Sequence, residues 1–203
     1  VVEAVEKRKL YQVTCTSAYK TAFTLGQMID VGNEPNPFFQ FYETTLEYPV
    51  TDGATGRPYN LNAVEWLHQV KIGVLQTAPQ ILAEIAWTVS QHYMMLAREL
   101  LMEQIRVEDF NSSPPSRQRC LYLSDTIEEA RTWLPLLGGN GAVCELTRTG
   151  VIHRADSRQM VILSEPLQVT RDKAKAYWQG KVSADPRMET LFTGKAEVTS
   201  IGL

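Results

Sequence analysis

The sequence predicts an α+β fold, and three observations carry that reading. Apolar and polar residues alternate in "KLYQVTCTS"; the period becomes helical from Leu61 to Val107; short alternating runs return from Arg117 to the C-terminus. With 203 residues, 44% of them hydrophobic and 21% charged, the chain holds enough apolar surface for one sizeable core. The expectation is a single domain over 1–203 with a helical subregion at about 61–109.

Each element follows from its local chemistry. Leu10 to Cys15 is rich in β-branched and aromatic residues and reads as the first strand. The stretch over 31–60 breaks up its short aromatic pieces with prolines, an Asp-Gly and a Gly-Arg-Pro, and reads as a long loop of the kind that covers a site or recognises a partner. Val64, Leu67, Ile72 and Leu75 mark one amphipathic helix. Thr77 and Gln80 bracket Pro79 as a capping box, after which Ile81, Ile85, Val89, His92, Leu96 and Leu100 trace one stripe of a long helix. "NSSPPSR" ends it, because neither proline continues a helix.

"RQRCLYLS" is strand-like. Asp125 followed by Glu128 caps a short helix carrying Ile127, Ala130 and Trp133, stopped by Pro135 and Gly138-Gly139. "AVCELT", "GVIH" and "MVIL" read as short strands, Thr170 to Trp178 as a helix with Gly180 as its stop, and "METLF" and "KAEVTSI" as two strands separated at Thr193-Gly194.

Composition narrows the function classes. The net charge is −3, with a pI near 5.7, so the chain as a whole does not attract the polyanionic backbone of nucleic acid. A protein or small-molecule partner suits it better, with Arg117 and Arg119 as a local basic patch for a phosphate-bearing ligand. No apolar run approaches the roughly 18–20 residues that cross a bilayer, which predicts a soluble protein without a membrane partner. The chain begins at Val1 rather than methionine, which leaves room for an upstream targeting segment. Cys15, Cys120 and Cys144 stand singly and read as reduced core residues. His68, His92 and His153 have no metal-ligand spacing: the first two fall on helical stripes and the third at a strand end, so no metal is expected. Gly138, Gly139 and Gly141 precede a strand rather than a helix and read as a turn, not a phosphate loop.

Glu189 is the chemically pointed residue. It heads an apolar run, either as a solvated strand end or as a carboxylate that a pocket is built to hold. The ordered pieces "YQVT", "PSRQRCLYLSDTIEEA", "GGNGAVCELT", "AYWQGK" and "METLFTGKAEV" resemble those of a bacterial family with an ADP-ribosyltransferase-like fold. That likeness covers the first strand and most of the chain from about Pro114 onward, and implies a split mixed β-sheet core with a helical insertion after the first strand. It implies NAD as co-substrate and places the catalytic glutamate at Glu189. Tyr122 and Ser124 match the strand lining the nicotinamide pocket, and Tyr11 offers a second aromatic platform. Gln12 stands where the family usually has His or Arg, with Thr14 beside it; Gln can hydrogen-bond but cannot become cationic. Arg117 or Arg119 would hold the pyrophosphate.

Each residue also has a plain structural explanation: strand residues satisfied by their neighbours, or a solvated basic pair beside a proline turn. A looser likeness is to secreted bacterial effectors that ADP-ribosylate ubiquitin on threonine, which implies a toxin-like transferase acting on a protein substrate in a host cytosol. The alternatives are a non-catalytic interaction module, with or without bound NAD, and an enzyme acting on nucleic acid, against which the acidic balance counts.

Overall fold

The computed structural model describes residues 2–15, 23–137, 141–160 and 165–202, and the chain divides into two compact units. The first unit, Val1–Phe39 with Arg98–Leu203, is built on an antiparallel sheet. Its strands are β1 (Val2–Cys15), β2 (Met28–Val31), β5 (Leu121–Leu123), β6 (Gly141–Asp156) and β7 (Met188–Ile201). The order is β1-β6-β7-β2, and β5 also pairs with β7. Because β6 occupies one edge of β7 along its length, β5 and β2 share the other, β5 against Thr190–Phe192 and β2 against Gly194–Glu197. Past β5, Ser124 exchanges both backbone hydrogen bonds with Tyr11 at 2.8 and 2.9 Å, which curls the sheet back onto β1.

The two faces of the curled sheet differ. Leu10, Leu146, Ile152, Phe192, Ala196 and Val198 pack with Leu123 and Cys144 on one face. Ala155 and Leu191 lie on the other, against Met102 and Ile105 of the C-terminal part of α3 (Pro79–Phe110) and against Ala174, Tyr177 and Trp178 of α5 (Leu167–Trp178). A short α4 (Ile127–Trp133) packs Ala130 on Val13 and Val143.

Several sequence expectations change here. "AVCELT" and "GVIH" form one sixteen-residue strand, and "METLF" and "KAEVTSI" one of fourteen. Gly194, read as part of a break, and Gly150, read as the first residue of a strand, face each other across β6 and β7, where an added Cβ would come within 2.5 Å of Thr149 O or 2.1 Å of Thr193 O. They mark a close backbone approach, the other reason for glycine inside a strand. His153 is accordingly buried inside β6 rather than at a strand end. Of "MVIL", Met160 ends a 3-10 turn and 161–163 lie outside the described residues, as do Gly138 and Gly139. The cap of α4 is Thr126, whose Oγ1 accepts from Glu129 N at 3.1 Å, one residue beyond the expected Asp125. α5 starts at Leu167, three residues before Thr170, and Gly180 takes the left-handed conformation just past its end. Cys120 and Cys144 are free and buried.

The second unit, Gln40–Ala97, fills most of the expected loop with regular structure. A helix α1 (Pro37–Glu43) starts where Asn36 Oδ1 accepts from Phe39 N at 2.9 Å, with Pro37 at the tolerant first position. Strands β3 (Glu47–Thr51) and β4 (Pro58–Asn62) form a hairpin whose turn is held by Asp52 Oδ1 on Ala54 N and Thr55 N. Helix α2 (Ala63–Lys71) is capped by Asn62, and the two predicted helices are present as α2 and α3. The stripe expected along α3 holds at Val89 and His92 and fails at its two ends. Ile81 and Leu100 are exposed, whereas Val89, His92, Glu99, Met102, Ile105 and Arg106 are buried. Three of those six are polar, so a pattern built on apolar residues misses the face. His68 is exposed on α2.

Candidate active site

Glu189 is the second residue of β7 and sits 6% exposed on the helix-covered face, opposite Ala155 and beside Leu191. Strand pairing with β5 sets Tyr122 on the same face. Between them lies Arg117, from the Pro114-Pro115 segment that follows α3. Its carbonyl is held from three sides: Asn36 Nδ2 and Tyr122 OH each donate to Arg117 O at 2.7 Å, and Cys120 Sγ donates to it at 3.7 Å. Ser116 Oγ donates to Glu103 Oε2 at 2.9 Å, tying the segment to α3.

The side chains form a buried ionic network. Arg117 Nη1 donates to Glu189 Oε1 and, at 2.6 Å, to Tyr177 OH, which itself donates to Glu189 Oε1 at 2.6 Å. On its other edge Arg117 donates from Nε to Glu99 Oε2 at 2.9 Å and from Nη2 to Glu99 Oε1 at 3.4 Å. Glu99 also accepts from Arg98 Nε and Nη2, at 3.0 and 2.7 Å. The rings of Tyr122 and Tyr177 lie 5.0 and 5.1 Å from the Arg117 guanidinium carbon. Two cations thus meet two carboxylates away from water, the pairing that a buried charge requires.

Electrostatics follows from this pairing. Burial disfavours the charge on Arg117, but Glu99 together with Tyr122, Tyr177 and Glu189 outweighs it and holds the guanidinium well above its ordinary range. Burial likewise works against an ionised Glu99, and the charges of Arg117 and Arg98 overcome it, so Glu99 titrates below the usual carboxylate range. Tyr177 and Tyr122 are pushed well up, foremost by burial, and remain phenols. Among the described residues both hydrogen bonds to Glu189 end on Oε1 rather than Oε2.

The residues singled out from the sequence fall into three places. Glu189, Arg117 and Tyr122 come together. Tyr11 and Ser124 meet at the backbone bridge, Ser124 buried and Tyr11 packed near Val13 and α4. Gln12 and Thr14 share the opposite sheet face with Leu10 and Cys144: Thr14 Oγ1 donates to Ala142 O at 3.1 Å, and Gln12 Oε1 is buried without a partner among the described residues. Arg119 is exposed, donates to Asn33 O, and lines a separate cleft of about 620 Å³ with Asp30, Val31, Ser112, Pro115 and Thr193.

Glu99, Arg98 and Tyr177 were not read as site residues. An Arg-Glu pair on a helix resembles a solvated one, and Tyr177 resembles core; the signal for Glu99 was its place one turn before the buried Met102. Among the described residues no group of His, Cys, Asp and Glu is arranged to hold a metal, and no helix is long and apolar enough to cross a membrane.

Fold and site together define a mixed α+β protein with two sheets, one of which carries a buried Arg-Glu-Tyr network on its helix-covered face. The chain belongs to the family described as protein of unknown function (DUF2441), which it matches over residues 12–202. No curated protein shows significant similarity to it.

Proposed function

We propose that the protein is an NAD-dependent mono-ADP-ribosyltransferase acting on a protein side chain, with Glu189 as its catalytic carboxylate. The observation that supports this reading is a glutamate held out of water on β7, fixed through one oxygen by Arg117 and Tyr177, with the Tyr122 ring against the same guanidinium. Transfer breaks the bond from nicotinamide to the ribose, and the leaving nicotinamide takes the bonding electrons. The ribose carbon gains oxocarbenium character before the acceptor attacks and gives its proton to solvent. Glu189 Oε2 accepts from the ribose 2′-hydroxyl and stabilises that positive charge, a preorganised electrostatic effect. Tyr122 supplies a flat surface for the nicotinamide ring.

The acceptor is a protein, ubiquitin being the first to test, and the setting a secreted bacterial effector in a host cytosol. Incubation with labelled NAD and eukaryotic lysate, followed by mass spectrometry, yields a labelled protein if the reading holds. Absence of both label and released nicotinamide contradicts it.

A second reading, a non-turnover interaction module, is favoured by the ion pair of Glu189 with Arg117 and by Gln12 in place of a cationic residue. Heat released on NAD binding without nicotinamide release, or no binding, selects it.

A further inference from the structure

Arg117 is shared by two carboxylates, and the sharing is asymmetric. Glu99 takes the Nε–Nη2 edge of the guanidinium with both of its oxygens, whereas Glu189 receives only Nη1, on Oε1. A guanidinium prefers a two-oxygen fork with a carboxylate. Without a partner on its Nε–Nη2 edge, Arg117 would turn that edge toward Glu189 and take Oε2 as well. Glu99 is itself held from behind by Arg98, at 2.7 and 3.0 Å, and is 1% exposed, so its position is set by α3 rather than by solvent.

We infer that Glu99 is a positioning residue: it fixes Arg117 edge-on to Glu189 and so keeps Glu189 Oε2 available to the ribose hydroxyl. This inference rests on the proposed transferase reading. Glu99 touches neither reacting group; it acts through Arg117. Its loss removes an interaction that matters in the transition state, so it lowers kcat more than it raises KM for NAD.

The test measures nicotinamide release by the full chain and three variants, each alongside its melting temperature. Glu99→Gln removes the counter-charge, and kcat is expected to fall about tenfold or more with KM changed less than threefold. Glu99→Asp keeps the charge but is one methylene too short for the fork, and shows the same loss even if the glutamine variant does not fold. Ile152→Val, in the apolar cluster on the opposite sheet face, lowers the melting temperature yet keeps kcat within about threefold, since the Glu99–Arg117 fork remains. A purely structural role would make kcat follow melting temperature in all three, and that outcome overturns the inference. So does wild-type kcat in folded Glu99→Gln or Glu99→Asp. A wild-type chain that releases no nicotinamide removes the transferase reading and this inference with it, whereas wild-type turnover with active Glu99 variants removes this inference alone.

Discussion

Two buried arginines in the first unit have opposite circumstances. Arg117 is matched by Glu99 and Glu189, whereas Arg148, 1% exposed on β6, has Nε and Nη1 without partners among the described residues and only a 3.5 Å contact from Nη2 to Leu146 O. Burial lowers Arg148 to about 9 against the opposing charge of Asp125, with Arg8 adding a smaller push in the same direction as burial. It still carries its charge at neutral pH and opposes folding. Arg148→Met is therefore expected to stabilise the protein by about 1–3 kcal/mol, with its methylenes still packed near Phe192. Chemical denaturation checks this, and a fall in the midpoint contradicts it. Legibility at this scale divides the same way. Glu189 stands out in the sequence only through the ordered pieces that place it at the head of a late strand, and Glu99 and Arg148 do not stand out at all: a charged residue in sequence reads as solvated until the fold shows what covers it.

At the scale of elements, the sequence signals were mostly present but attached to the wrong alternative. Asp52 with Gly53 and Gly56 is a hairpin turn, and Asn36-Pro37 a helix start, yet both lie in the stretch that reads as one long loop because each element is short. Gly194 reads as a break, and Gly150 as an ordinary strand start, because proximity across strands is not visible along the chain. Gly194 has φ +131°, and its absent Cβ is what lets β6 approach, so Gly194→Ala is expected to cost about 2–4 kcal/mol. Equilibrium unfolding measures it, and a loss below about 0.5 kcal/mol would show that the strands can separate without cost. The α4 cap gives a milder case. Thr126→Ala removes the acceptor for Glu129 N and should cost about 1 kcal/mol, while Asp125, occupied by Arg8, Arg154 and Thr190, does not take over the cap.

For the whole molecule, alternation and helical period were enough to predict α+β and the helical block. The curl of the sheet through Tyr11 and Ser124 was not, because it joins segments more than a hundred residues apart by backbone hydrogen bonds that no side-chain pattern records. The assembled fold also sets how stability depends on pH. Burial foremost lowers His153 from 6.5 to about 4. The unfolded chain binds a proton there as pH falls below 6.5 while the folded chain resists until about 4, so stability declines with falling pH across that window. Glu99 and Asp156 are held low despite burial, Glu99 by Arg117 and Arg98, Asp156 by Ser183 and the Arg158 and Arg187 amides; what they contribute is lost at more acid pH, as each protonates. His153→Phe is expected to flatten the melting temperature between pH 6.5 and 4.5 and to leave the steeper acid limb; an unchanged slope in that window would contradict the assignment. The central claim concerns Glu189, and nicotinamide release from NAD by the wild-type chain and by Glu189→Gln tests it most directly. The wild type should turn over while the glutamine variant, nearly the same shape and still able to contact Tyr177, loses at least about a hundredfold in kcat; equal release by both, or none by the wild type, would contradict it.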